Sequence, residues 1–124
     1  MGLLLLFLRK EQFALRRGTT PTHTFTLPFA IPEGSLVRVV YAQEQNGTKK
    51  ALFAKTKDDC SVLGYTVSTK LKQEDTLKIE DHKSVFIQVR VLTPDNEALA
   101  SEVIVVCAKE CLEDEVMEFE EDTL

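Results

Sequence analysis

Residues 36–55 read LVRVVYAQEQNGTKKALFAK, and this stretch decides the fold class. Its first part, Leu36–Gln43, is patterned as a strand with one face turned toward a core. The residues that share this inward face are Val37, Val39 and Tyr41. Asn46-Gly47 follows, and both residues tolerate the positive φ angles of a type I′ turn. Ala51–Lys55 is therefore predicted to return antiparallel to the first strand, as the second half of a β-hairpin.

The chain on both sides of this hairpin also consists of short apolar stretches separated by polar turns. Further strands are predicted over Thr22–Leu27, over one or two parts of Ser61–Leu71, over Val85–Val91 and over Ala98–Ala108. Within the last of these, Val103–Val106 is apolar at every position, which is typical of a central strand buried on both faces.

About seven strands without a convincing helix predict an all-β fold, an immunoglobulin-like sandwich of two antiparallel sheets. The chain has no Trp, so the prediction depends on the number and pattern of the strands alone, and an open barrel is the alternative. The segment Leu71–Leu77 contains short polar residues that hydrogen-bond nearby backbone groups. We expect it to form a fixed corner between the sheets rather than a binding site.

The charges divide the chain into three parts. Residues 1–18 contain four basic residues and one acidic residue, residues 19–109 contain eleven of each, and residues 110–124 contain eight acidic residues and no basic one. We expect an N-terminal arm at 1–17, a β-sandwich domain at 18–109 and an acidic tail at 110–124, with both arms flexible. A net charge of −5 without a basic stripe does not favour nucleic-acid binding, which needs Lys and Arg to neutralise phosphates.

The two arms leave alternatives open. Leu112, Val116 and Phe119 are spaced for one face of a helix, but repulsion between the tail carboxylates opposes it. The tail is then either a solvated, disordered segment or an acidic peptide that orders on a basic partner. Leu3–Leu8 is too short to span a bilayer, and no basic residue precedes it as in a secretory signal. It is a strand added to a sheet, an apolar helix against a partner, or the product of a start codon placed too early.

The three cysteines favour a reducing compartment, because an odd number does not match the paired framework of small secreted domains. Cys107 and Cys111 have the C-x₃-C spacing of some zinc ligands, and Cys60 is a third candidate. No fourth ligand stands at a characteristic spacing, so we predict no metal site. Cys107 is expected to be a small buried hydrophobic residue, and Cys111 to be exposed.

No arrangement of residues suggests an enzyme. His23 falls in an alternating strand and His82 in a loop, and neither accompanies a nucleophile motif such as G-x-S-x-G. The acidic pairs Asp58-Asp59, Glu80-Asp81 and Glu120-Glu121 lie in turns or in the tail, without the glycine-containing loop of calcium sites. No glycine-rich phosphate loop occurs either. We therefore predict no catalytic residue, no cofactor and no enzymatic activity.

Several segments carry a resemblance to known proteins. They are Arg17-Gly18-Thr19-Thr20-Pro21-Thr22, Leu71–Lys78, Ile87–Val91 and Ala98-Leu99-Ala100-Ser101. In this order, and with the hairpin, the chain resembles small uncharacterised proteins of Firmicutes phages and prophages. More loosely, it is similar to the immunoglobulin-like N-terminal domain of phage baseplate upper proteins. The resemblance covers residues 16–112 and includes no catalytic residue.

This resemblance implies a structural or adaptor role in a phage or prophage tail, associated with the baseplate. The expected partners are other tail proteins or copies of the chain itself, with neither nucleic acid nor a membrane among them. The protein would lie in the host cytoplasm during assembly and in the virion afterwards, without secretion by a signal peptide.

A carbohydrate-binding module is the alternative function. Sugar-binding surfaces use exposed aromatic rings, and this chain has no Trp and only two tyrosines. Tyr41 is predicted to face inward, which leaves Tyr65. This scarcity favours the structural role.

Overall fold

The computed structural model describes residues 13–119. In chain order these residues form β1 (Thr22–Thr26), β2 (Leu36–Gln45), β3 (Thr48–Lys55), a 3₁₀ turn (Lys57–Asp59), β4 (Cys60–Leu63), β5 (Thr66–Lys70), α1 (Gln73–Leu77), β6 (Ser84–Leu92), β7 (Ala98–Ala100) and β8 (Ile104–Cys107). Over residues 13–119, no helix has the length and apolar character needed to cross a membrane. The predictions for Leu3–Leu8 and Glu120-Glu121 lie outside the described residues.

The strands form two antiparallel sheets. The smaller sheet has the order β1-β5-β4, and the larger has the order β3-β2-β6, with β7 and β8 both paired to the far side of β6. If β1 to β6 are lettered B, C, C′, D, E and F, and β7 and β8 together G, the orders are B–E–D and C′–C–F–G. This is the strand arrangement of immunoglobulin domains. The predicted all-β, two-sheet antiparallel sandwich is confirmed, and the strands do not form the alternative open barrel.

The hairpin of residues 36–55 has the predicted turn. Asn46 and Gly47 have φ angles of +54° and +80°, both positive as a type I′ turn requires. β2 pairs with β3 on one side and with β6 on the other, so it is a central strand of the larger sheet. Its predicted inward residues, Val37, Val39 and Tyr41, are all buried.

The core between the sheets extends further toward the N-terminus than the sequence predicts. Phe13 and Leu15, placed by the sequence in an arm, are both buried in this core. The main chain beside them is tied to the segment after β8, since Arg17 N–H donates to the carbonyl of Lys109 at 3.0 Å. The packed unit therefore includes residues 13–17, which the expected boundary at residue 18 leaves out.

The prediction of one central strand near the C-terminus is wrong. Ala98–Ala108 is divided into β7 and β8, and both lie at the edge of the larger sheet. Val103, which precedes β8, is 50% exposed, and Val105, which faces outward from β8, is 53% exposed. The segment 71–77 connects β5 of the smaller sheet with β6 of the larger one, as a corner would, and it contains a single helical turn, α1, that was not expected. It forms because the Asp75 carboxylate accepts the Lys72 backbone N–H at 2.9 Å, which supports the first turn.

Candidate interaction surface

His23 lies in the core and is not available for chemistry with a solvent-borne substrate. Its Nδ1 is 2.7 Å from the Tyr41 hydroxyl, and its Nε2 is 3.2 Å from the carbonyl oxygen of Ala14. Because a carbonyl only accepts, Nε2 carries the proton, and the Tyr41 hydroxyl donates to Nδ1. Burial lowers the pKa of His23 and raises the pKa of Tyr41. Both groups are therefore neutral and act as a satisfied polar pair within the core.

A second buried polar group joins β3 to the corner. Lys55 Nζ lies 2.7 Å from Asp75 Oδ2, and both side chains are nearly inaccessible. Burial favours a higher pKa for Asp75, but the hydrogen bonds from Lys55 and from the Lys72 backbone, with the Lys55 charge, outweigh it and lower the pKa. The pair thus remains charged at neutral pH and holds α1 against the larger sheet. No local pattern predicts this pair, since the two residues are twenty positions apart.

The structure brings His82 beside two carboxylates. His82 Nε2 is 3.6 Å from Glu110 Oε2 and 3.9 Å from Asp81 Oδ2. The loop prediction for His82 is consistent with its φ angle of +58°, but the approach of Glu110 could not be foreseen from spacing. The three groups lie at the surface, Asp81 half-buried and the other two exposed, an arrangement that is common without an ion. We assign no metal to them.

The three cysteines do not converge on a shared ligand. Among residues 13–119, no group of three metal-ligating side chains includes a cysteine. The expected burial of Cys107 is wrong, because it points outward from the edge strand β8 and is exposed. The expected exposure of Cys111 is wrong as well. It is half-buried beside Gly18, where an added Cβ would lie 3.3 Å from its sulfur.

The outer faces of the two sheets differ in chemistry. The smaller sheet presents a hydroxyl-rich outer face with Lys70 at its edge, and Thr24 Oγ1 and Ser68 Oγ are hydrogen-bonded there at 3.0 Å. The outward residues of the larger sheet are instead mainly apolar and basic, with one amide and one carboxylate among them: Leu36, Arg38, Val40, Ala42, Glu44, Phe86, Gln88, Arg90, Leu92 and Val105. Lys49 Nζ stands 4.5 Å above the ring of Phe86. The larger sheet therefore has the outer face better suited to a macromolecular contact.

Two arginines face each other on that outer surface. Arg38 and Arg90 are directly opposite in the register of β2 and β6, and both are exposed. Neither forms a salt bridge with another residue of the described range 13–119. Like charges directly opposite on neighbouring strands destabilise a sheet by about 0.2–1 kcal/mol. An anionic group placed between the two guanidinium groups would remove this repulsion.

A depression of about 280 Å³ lies beside the arginine pair. Its apolar lining comes from Leu36, Leu92 and Ala98, and its basic lining from Lys57 and the two arginines. Leu36 is 57% exposed although it is a large aliphatic residue. We call this depression the arginine groove and define it by these six of its nine lining residues. It is suited to an apolar side chain flanked by carboxylates.

The acidic tail lies at the other end of the sandwich, beside α1. Arg17 Nη1 is 2.7 Å from Asp114 Oδ1. The Gln73 side chain forms two hydrogen bonds with the main chain of Met117, at 2.8 and 3.0 Å. Beyond this anchor, Phe119 is completely exposed. The helix considered for the tail is not present in its described part, residues 110–119.

Comparison with known proteins gives no functional relative. No protein-family model matches the chain, and no curated protein matches it. The solved structure of murine CRIg is similar over 77% of this chain and 88% of its own length, with 10% sequence identity and a TM-score of 0.39. A similarity at this level carries no argument about function, and the fold assignment rests on the strand order.

Proposed function

We propose that the chain is a non-catalytic structural or adaptor protein that works through protein–protein contacts, and that the outer face of the larger sheet is its contact surface. The observation that carries this proposal is the pair Arg38 and Arg90, two cations placed opposite each other beside an open apolar groove. The two guanidinium groups repel each other in the unbound sheet, and a bound anionic partner would attract both of them.

The chemistry of the surface points to a polypeptide as the partner. The groove offers apolar area from Leu36 and Leu92 together with charge from three basic side chains. A small inorganic anion would use only the charge. An acidic peptide with an apolar residue among its carboxylates would use both the apolar area and the charge. The guanidinium groups of Arg38 and Arg90 can each bind a carboxylate of the peptide in a bidentate way.

The proposal includes the assembly to which the chain belongs, a phage or prophage tail, with a place near the baseplate. This part is supported by the resemblance of residues 16–112 described above. The partners are then other tail proteins or copies of the chain, first in the host cytoplasm and later in the virion. A domain without an enzymatic role fits this setting, and His23 is enclosed in the core rather than in a cleft.

The carbohydrate alternative is not favoured by any particular observation. Tyr41 is fully buried, as the sequence predicts. Tyr65 is 54% exposed, but it stands next to Leu63 in the turn between β4 and β5, where Leu63 is 82% exposed. An aliphatic side chain beside one tyrosine makes an apolar tip rather than a flat stacking platform.

Site-specific photo-cross-linking tests the proposed surface. A photoreactive phenylalanine analogue is placed at Leu36, on the outer face of the larger sheet, and in a matched variant at Thr24, on the outer face of the smaller sheet. Both chains are expressed in the host during tail assembly, and the adducts are identified by mass spectrometry. We expect adducts to specific proteins, tail components among them, from position 36 and not from position 24. Equal labelling at the two positions, or none at 36, would contradict the proposed surface.

A further inference from the structure

The arginine groove has a complementary segment within the same sequence. We infer that the occupant of the groove is the acidic tail of a second copy of this chain, with Phe119 inserted between the arginines and the apolar floor. This inference rests on the proposed function, because it uses the same surface and names its partner.

The tail has both chemical features that the groove requires. Residues 110–124 contain eight acidic residues and no basic one. Phe119 stands between Glu118 and Glu120 in the sequence, and its ring is completely exposed in the isolated chain. An aromatic ring can lie on the apolar floor and stack against a guanidinium plane. The carboxylates on either side of it would then meet Arg38 and Arg90.

The geometry favours a second copy over the chain's own tail. The Gln73 side chain holds the main chain of Met117, and Phe119 follows two residues later, within a reach of about 7 Å. In this position the Phe119 ring is completely exposed, so the chain's own tail does not fill its groove while the anchor at Gln73 is kept. A second copy can bring its Phe119 to the groove without breaking that anchor.

Such a contact joins unlike surfaces of two copies. One end of the first chain binds the opposite end of the next, which leaves one tail and one groove unoccupied in every pair. Contacts of this heterologous kind produce rings if the rotation closes and open arrays if it does not. Repeated copies in a symmetric assembly would be linked in this way.

The test mixes two variants that can form only one such contact. The acceptor carries Phe119→Lys, which disables its tail, and is labelled with ¹⁵N. The donor carries Arg38→Glu and Arg90→Glu, which disable its groove, and is unlabelled. The ¹⁵N spectrum of the acceptor is followed as donor is added to millimolar concentration.

We expect shifts of the amides of Lys57, Leu92 and Ala98 that grow with donor concentration. A donor that also carries Phe119→Lys should produce none of these shifts. High salt should reduce them about fivefold or more, because it screens exposed charges. As a matched control, the acceptor with an added Lys70→Glu on the smaller sheet should respond unchanged, whereas the acceptor with an added Arg90→Glu should not respond.

Two outcomes would overturn the inference. One is the absence of groove shifts in the mixture, or shifts confined to the smaller sheet. The other is a concentration-independent difference at the groove amides between the wild-type chain and its Phe119→Lys variant, which would mean that the chain's own tail occupies the groove. If photo-cross-linking from position 36 still captures another tail protein in either case, the proposed function stands and only the second copy is refuted.

Discussion

Acidification below a pH of about 6.5 should destabilise the sandwich through His23. Its imidazole is fully buried, and burial lowers its pKa, so the folded chain keeps it neutral while the unfolded chain takes up a proton. Because the unfolded state then binds more protons, the free energy of unfolding falls as the pH falls, by up to about 1.4 kcal/mol per pH unit. This loss of stability begins near the pKa that His23 has in the unfolded chain. It ends near the lowered pKa that His23 has in the folded chain. One pH unit thus removes a sizeable part of a typical stability of about 5–15 kcal/mol.

Urea unfolding at a series of pH values between neutral and mildly acidic measures this loss. Far-UV circular dichroism is the suitable signal, because the chain has no Trp. A double variant, His23→Phe with Tyr41→Phe, replaces both hydrogen-bonding partners by apolar rings and should lose the dependence on pH in this range. His82→Gln alters the exposed histidine and should keep it. The reasoning is refuted if the double variant and the wild-type chain show the same slope.

Three further substitutions test the local structure by the same urea assay. Asp75→Asn leaves Lys55 as a buried charge without its counter-ion and should lower the free energy of unfolding by about 3 kcal/mol or more; a loss below about 1 kcal/mol would mean that the pair is solvated. Gln43→Ala removes both side-chain hydrogen bonds to the main chain of Glu80, each 2.8 Å long, and should lower stability by about 2 kcal/mol, whereas an unchanged midpoint would show that water replaces them. Gly47→Ala places a Cβ at a φ angle of +80° and should cost about 1 kcal/mol; a neutral result would show that the turn changes type.

Local patterns in the sequence correctly predicted the turn of the hairpin and the buried face of its first strand, because both depend on neighbouring residues alone. The turn at Asn46-Gly47 follows from residues that accept positive φ, and the inward face of β2 follows from alternation. The position of a strand within a sheet is not local. The run Val103–Val106 looks central because all its residues are apolar, but which strands flank it depends on pairing with β6, and the structure puts it at an edge.

The contact surface was missed for the same reason. Alternation alone places Arg38 and Arg90 on the outward sides of their strands. That they lie directly opposite each other depends on the register between β2 and β6, which are joined by a long path through the other sheet. Charge counts also concealed them, because residues 19–109 are neutral as a whole. A pairwise feature of this kind requires the fold to be known first.

The strength of the tail–groove contact follows from its small size. Burial of Phe119 contributes about 2–3 kcal/mol, and each exposed carboxylate–arginine pair about 0.2–1 kcal/mol. Association in solution costs about 4–15 kcal/mol of translational and rotational freedom, so two separate copies should bind in the millimolar range or more weakly. Within an assembly that already holds the copies side by side, this translational and rotational freedom is already lost. The effective concentration of the tail at the neighbouring groove is then about millimolar. With a dissociation constant of about millimolar, the contact would then be occupied about half of the time in the assembly. It would be largely open in the dilute chain, which should remain monomeric in size-exclusion chromatography with light scattering.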